Sequence, residues 1–253
     1  MRFLNNSVNK IYTGWVILVF SVFMIILLPG ILLPFLMGVR FTWIGYQFLW
    51  LWSWIFSQLT CIRYELYGKE NIQRGKAYIF VSNHTSFLDI PGIRLMIPGE
   101  FRPIAKKELL KIPVFGFIVK AATVVVDRSN HESRKKSMEY AKRIINQGIS
   151  MLIFAEGTQN RTSEILQPFK DGAFRIAIDT QTPILPLVVI GAGKLMPPGK
   201  LRMRPGTIKI IAGTEIAVNK YQPGDVSELK QQCFQAMLDL LQHHATDLQQ
   251  IQS

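Results

Sequence analysis

Two cysteines, Cys61 and Cys233, are all that a chain of 253 residues contains. Neither lies in a metal-ligand spacing and no disulfide framework is implied, which suits a reducing compartment. Charge is missing from two long stretches: residues 11–39 carry none, residues 41–62 carry none, and only Arg40 separates them. A bilayer core takes about 20 apolar helical residues to cross, so either stretch is long enough. The first is too long for the apolar part of a cleaved signal peptide, and no small-x-small site follows it. Acidic residues are scarce beside basic ones, 17 against 29, a net charge of +12. The chain has no G-x-S-x-G stretch, which excludes the usual serine nucleophile on a strand-to-helix turn. It also lacks internal repeats and low-complexity linkers.

Hydrophobic residues make up 49% of the chain, and the mean hydropathy is +0.20, high for a water-soluble enzyme. Much of this sits at the N-terminus. Pro29, Gly30 and Pro34 are expected to break a first helix, and Trp43, Trp50, Trp52 and Trp54 suit the headgroup level of a membrane. A spanning hairpin and a hairpin dipping into one leaflet both fit. Either leaves the N-terminus and the remaining chain on one side. Beside such an anchor the basic excess reads as attraction to anionic lipid, about 1 kcal/mol per basic residue near the surface, rather than to nucleic acid. Lys106, Lys107, Lys111 and Lys120 alternate with apolar residues as a surface resting on a bilayer would. The expected organisation is an anchoring helical hairpin over residues 1–62 and an α/β domain over residues 63–253, at a membrane and on its cytosolic face.

From residue 63 the pattern changes. Strands are predicted in "RYELYG", "AYIFVSN", the first part of "FRPIAKKELLKIPVFGFIVKAA", "TVVVDR", "ISMLIFAEG", "ILPLVVIG" and "TIKIIAGTEI". Helices are predicted over residues 91–97, around Pro113, in "HESRKKSMEYAKRIINQG", in "GAFRIAIDTQ" and over residues 226–250. Alternating strands and helices define an α/β domain with a mixed, largely parallel sheet flanked by helices.

Open α/β sheets place their sites at the carboxyl ends of strands. Three polar clusters fall there: "NHTSFLD", "DRSN" and "AEGTQNRTS". His84 and Asp89 could form a proton-transfer pair, the carboxylate orienting the imidazole and stabilising its charged form. Asp89 also reads as a helix N-cap, because Pro91 belongs in a first helical turn and Ser86-x-x-Asp89 resembles a capping box. With no serine elbow in the chain, a His84 base would act on an external hydroxyl. Gly157 permits a positive-φ turn after the apolar strand that precedes Glu156. Glu156 could instead be a carboxylate that ties its loop. His131, His243 and His244 read as surface residues.

These stretches resemble the glycerolipid acyltransferase family, which includes the lysophosphatidic acid acyltransferases. "NHTSFLD" is similar to its first motif, N-H-x-S-x-x-D, and "IAKKELLKIPVFG" to the stretch that follows. "TVVVDRSN" resembles the second motif, "FAEGTQNRTS" the third, "LQPFKDGAF" the segment after it, and "ILPLVV" the fourth, with Pro186. The motifs occur in the family's order over residues 77–190. The resemblance implies acyl transfer from coenzyme A or acyl carrier protein to the free hydroxyl of a lysophospholipid, by default 1-acyl-glycerol 3-phosphate. It implies His84 as base and Asp89 as its partner, with no metal and no bound cofactor. Lys106, Arg128, Glu156, Gly157, Thr158, Arg161 and Lys170 fall on its substrate-binding motifs. Three positions depart from the family: Gln159 stands where an arginine usually follows E-G-T, Ala155 replaces a proline, and Thr123 replaces a glycine. Arg161, on the same loop, is the expected substitute for the missing phosphate-binding arginine, with Arg128 and Lys106 contributing.

Overall fold

The computed structural model describes residues 2–127 and 129–250. Seven strands form one sheet: β1 (Ile62–Tyr67), β2 (Ile79–Ser82), β3 (Phe101–Lys106), β4 (Val124–Val126), β5 (Ser150–Phe154), β6 (Ile184–Ile190) and β7 (Gly206–Ala212), in the order β1-β7-β6-β2-β5-β3-β4. The β6–β7 pair is antiparallel and the other pairs are parallel. β2 and β5 are wholly or almost wholly buried, which is why they read as continuous apolar runs.

The α-helices are α1 (Arg2–Leu36), α2 (Thr42–Thr60), α3 (Asp89–Met96), α4 (Phe115–Ala122), α5 (His131–Asn146), α6 (Gly172–Thr180), α7 (Ala192–Leu195) and α8 (Val226–Gln250). One face of the sheet packs on the α1–α2 hairpin, α3 and α4, around Phe80, Ile93, Met96, Phe101 and Leu152. The other packs on α5, α6 and α8, around Val81, Ile144, Met151, Phe174 and Leu229.

The N-terminal region differs from expectation in two respects. α1 runs unbroken through Pro29, Gly30 and Pro34. A Cβ on Gly30 would lie 2.4 Å from the Phe48 ring, and one on Gly45 2.7 Å from the Ile31 carbonyl. The glycines therefore let α1 and α2 approach closely, and packing between helices can hold a proline-containing one in place. Second, among the described residues only α1, over Ser7–Leu36, is long and apolar enough to cross a membrane. α2 carries Gln47, Ser53, Ser57, Gln58 and Thr60; Ser53, Ser57 and Thr60 are buried against the protein, while Trp43, Trp50, Trp54 and Leu59 stay exposed. Its Tyr46 hydroxyl reaches the carbonyls of Phe101 and Ala122, and Thr42 donates to Glu100. Buried Arg94 of α3 donates to the Tyr46 carbonyl. The outward side of α1, with Ile11, Leu18, Ile25, Ile26, Leu33 and Leu36, remains exposed.

Candidate active site

β2 and β5 pair in parallel with Ser82 opposite Phe154, so the loops that leave their carboxyl ends are neighbours. That register brings His84 beside Glu156. Asn83 fastens the first loop to β6: its carboxamide donates to the Val189 carbonyl (2.9 Å) and accepts from the Val189 N–H (2.8 Å).

The chain then turns back, and the Asp89 carboxylate meets the His84 ring at 2.7 Å, Oδ2 to Nδ1. The same oxygen accepts from the Thr85 N–H (2.8 Å) and the Ser86 N–H (3.0 Å). Asp89 is fully buried, and the oxygen that meets the ring already accepts from two backbone N–H groups. Such an oxygen suits a third donor, so the geometry fits the tautomer with hydrogen on Nδ1 and a lone pair on Nε2. The His84 side chain keeps 17% of its surface open. Its ring stacks on Phe154, centroids 4.0 Å apart and planes at 20°.

The N-cap reading of Asp89 does not hold: Asp89 is the first residue of α3, and Leu88 stands at the N-cap with no side-chain cap bond. The carboxylate instead reaches back to the Ser86 N–H, while Ser86 Oγ accepts from the Leu88 N–H (3.2 Å), and these bonds shape the turn before the helix. Tyr64 supports the turn by donating to the Leu88 carbonyl (3.0 Å); burial first, and the Asp89 charge second, push its hydroxyl well above the usual phenol range. Gly92 leaves the room this needs, since a Cβ there would lie 2.6 Å from the Tyr64 ring.

Glu156 is buried, and both its oxygens are used on backbone. Oε1 accepts from the His84 N–H (2.9 Å) and Oε2 from the Gln167 N–H (3.0 Å). Burial raises its pKa above the ordinary carboxylate value against the pull of those two bonds. The carboxylate thus ties its loop to the histidine. Asn160 adds a second tie, its N–H donating to the His84 carbonyl (2.6 Å). Its side chain gathers the Thr162 N–H (2.9 Å) and the Gln167 carboxamide (3.1 Å), and donates to the Glu164 carbonyl. Gly157 has φ +79°, as the turn after β5 requires.

The remaining expected residues spread over the strand ends. Glu156, Gly157, Thr158 and Lys170 line one cavity. Lys106 is exposed at the end of β3. Its neighbour Lys107 pairs with Asp127 and, with Ser129, holds that carboxyl down at about 2. Arg128 lies outside the described residues. Arg161 is exposed and rests against the turn at Gly199, where a Cβ would stand 3.1 Å from its guanidinium. Gln159 carries a buried side-chain nitrogen with no hydrogen-bond partner among the described residues. Sequence reasoning missed Phe154, Asn83, Asn160 and Gln167. All four stood inside quoted motifs, but only strand register and contacts between loops show that they hold the histidine loop.

Fold and site together define an α/β protein with a histidine–aspartate pair at the carboxyl ends of a largely parallel sheet. Comparison with known proteins makes this specific. The family model described as "Acyltransferase" matches residues 63–190, and the chain belongs to that family. The human protein named 1-acyl-sn-glycerol-3-phosphate acyltransferase alpha is 31% identical over 188 residues, 74% of this chain and 66% of that one. The Cocos nucifera protein named 1-acyl-sn-glycerol-3-phosphate acyltransferase is 38% identical over 134 residues, 52% of this chain and 43% of its own length. The match to the sheep alpha protein spans 65% of that protein's length. A crystal structure of the 1-acyl-sn-glycerophosphate acyltransferase from Thermotoga maritima superposes with a TM-score of 0.81 at 21% identity, covering 97% of this chain and 98% of that one. At that identity the likeness is one of fold.

Proposed function

We propose that the protein moves an acyl group from a thioester, of coenzyme A or acyl carrier protein, to the free sn-2 hydroxyl of 1-acyl-glycerol 3-phosphate, giving phosphatidate. The observation that carries this reading is the His84–Asp89 pair, whose geometry suits a lone pair on Nε2, in a chain with no serine nucleophile elbow. The acceptor's O–H bond breaks as its proton passes to Nε2, and the oxygen attacks the thioester carbonyl carbon. The tetrahedral adduct then collapses with loss of the C–S bond, and Nε2 returns the proton to the departing thiolate. Asp89 keeps the ring in the required tautomer and stabilises the imidazolium between the two transfers. The thioester supplies the leaving group, so the reaction draws on no metal or bound cofactor.

The printed names of the relatives support the acceptor, and α1 supports a site held at a bilayer, where acceptor and product reside. In this reading the α/β domain faces the cytosol, where the thioesters are, and the partners are membrane lipid, lysolipid and donor. The test is purified protein with acyl-coenzyme A or acyl carrier protein and a thiol reagent, with and without lysophosphatidate, and mass spectrometry of the products. Acceptor-dependent thiol release with phosphatidate is expected; release without acceptor would make it a hydrolase. A second reading keeps the chemistry and changes the acceptor to a lysolipid without a terminal phosphate. It is favoured by the neutral Gln159, with its unpartnered nitrogen, at the loop centre, and a panel of lysolipids separates the two.

A further inference from the structure

A cavity of about 810 Å³ lies at the carboxyl ends of β3, β4 and β5, between α5 and α6. Its size is that of sites that enclose small ligands. Its inner wall is apolar, with Ile104, Val126, Met138 and Ile176, and its walls also include Arg134, Lys135, Lys170 and Arg175. These four cations are exposed. Arg175 is 3.5 Å from Asp171, and Glu139 of the same wall is taken by Lys142. Arg134, Lys135 and Lys170 enter no ion pair among the described residues. The opening is therefore positive and uncompensated, the interior apolar.

The cavity is on the α5–α6 face of the sheet, and the hairpin is on the other. The turn after β5 joins the two sides: residues 154–158 line the cavity, and within them Glu156 holds the His84 backbone while the Phe154 ring stacks on its imidazole. In the acyl-transfer reading a lipid acceptor arrives from the hairpin side, where α1 exposes its apolar residues. A water-soluble, anionic second substrate needs an entrance away from the bilayer that leads over the same turn. We infer that this cavity receives the acyl donor, its phosphopantetheine arm passing toward His84 and its phosphates meeting Arg134, Lys135 and Lys170. The inference rests on the acyl-transfer reading. Phosphopantetheine is common to coenzyme A and acyl carrier protein, and the cavity chemistry fits both.

The test measures initial rates with donor and acceptor varied separately. Arg134→Glu/Lys135→Glu changes two exposed side chains, and Met138→Trp narrows the apolar wall. The charge variant should raise the KM for acyl-coenzyme A roughly tenfold or more, as loss of hydrogen bonds to charged groups does, with the lysophosphatidate KM moved less than about twofold. An acyl-pantetheine thioester, which has no phosphate, should show a much smaller penalty in the charge variant but the full one in Met138→Trp. Acyl carrier protein run in parallel identifies the source: a penalty confined to one donor assigns the cavity to that donor. An acceptor KM that moves instead, or donor constants unchanged in both variants, overturns the inference. If wild-type protein transfers nothing, the acyl-transfer reading has failed, and calorimetry with coenzyme A and acyl carrier protein still decides this one. Binding to wild type that weakens in the charge variant supports it, and no binding of either overturns it.

Discussion

Asp89 is fully buried with two backbone N–H groups and the His84 ring on one oxygen, while Lys106, Arg161 and Lys170 stand exposed and unpaired among the described residues. Both sets occupy the strand ends, and they are built on opposite principles. The histidine pair is pre-assembled: every atom that fixes the ring is in place before substrate arrives, so no reorganisation is required in the transition state. The cations are left for the ligand to organise, at a cost in side-chain entropy for each one immobilised. Damage to the first region should therefore appear in kcat, and damage to the second in KM.

The largest effect is expected at His84. His84→Ala removes the base, which typically costs about 10²–10⁴ in rate, with circular dichroism and membrane association unchanged. Near-normal turnover in a folded variant would end the proposed chemistry.

Asp89→Asn comes next. A carboxamide oxygen in place of Oδ2 can still accept the converging bonds, but it carries no charge, so the imidazolium formed between the two proton transfers loses its stabilising partner. A loss of roughly a hundredfold in kcat, with the KM for both substrates moved little, is expected. A loss carried by KM instead would erase the distinction between the two regions.

Glu156→Gln probes the tie between them. One of its two backbone N–H partners, of His84 or of Gln167, loses its acceptor, so kcat should fall by about tenfold. The stability effect has a pH signature. The folded-state pKa of Glu156 is raised above its ordinary value of 4.5, mainly by burial. Between those two values the folded state binds more protons than the unfolded one, so this group's contribution to stability falls as pH rises through that window. Glutamine does not titrate. The variant's stability deficit against wild type should be largest on the acid side of the window and narrow as pH rises. Denaturant midpoints across that range check it; a deficit that widens with pH would contradict the burial argument.

The elements of the domain were legible because their periodicities are local. Alternation marked β1, the apolar runs marked β2, β5 and β6, and Pro91 marked the start of α3. The His84–Asp89 pair was legible too, being five residues apart on one turn. What pattern could not give was which side of an apolar segment meets protein. α1 buries Val16, Val19, Met24 and Ile31 and exposes Ile11, Ile25 and Leu36, all equally hydrophobic in sequence. Nor does composition reveal that Gly30 makes room for Phe48, which turns an apparent helix break into a packing contact. Asn83, Phe154 and Gln167 act on the histidine loop through strand register or across a loop, over separations that no local window contains.

The smallest effect is expected at Arg161, where sequence and structure pull apart most. The resemblance assigned it the phosphate role left vacant by Gln159. Its guanidinium instead rests against the Gly199 turn. An exposed charge that must reorient to meet its partner contributes about 0–1 kcal/mol. Arg161→Ala should then raise the lysophosphatidate KM by no more than about fivefold, leave kcat in place, and leave the donor KM unchanged. Gln159→Arg in that background should do more for acceptor affinity than restoring Arg161, because position 159 carries the buried, unpartnered nitrogen on the loop that holds His84. A hundredfold loss in Arg161→Ala would mean that this loop closes on the phosphate and that Arg161 belongs with the pre-assembled region. No change with lysophosphatidate, together with faster turnover of a phosphate-free lysolipid, would point to the second acceptor class.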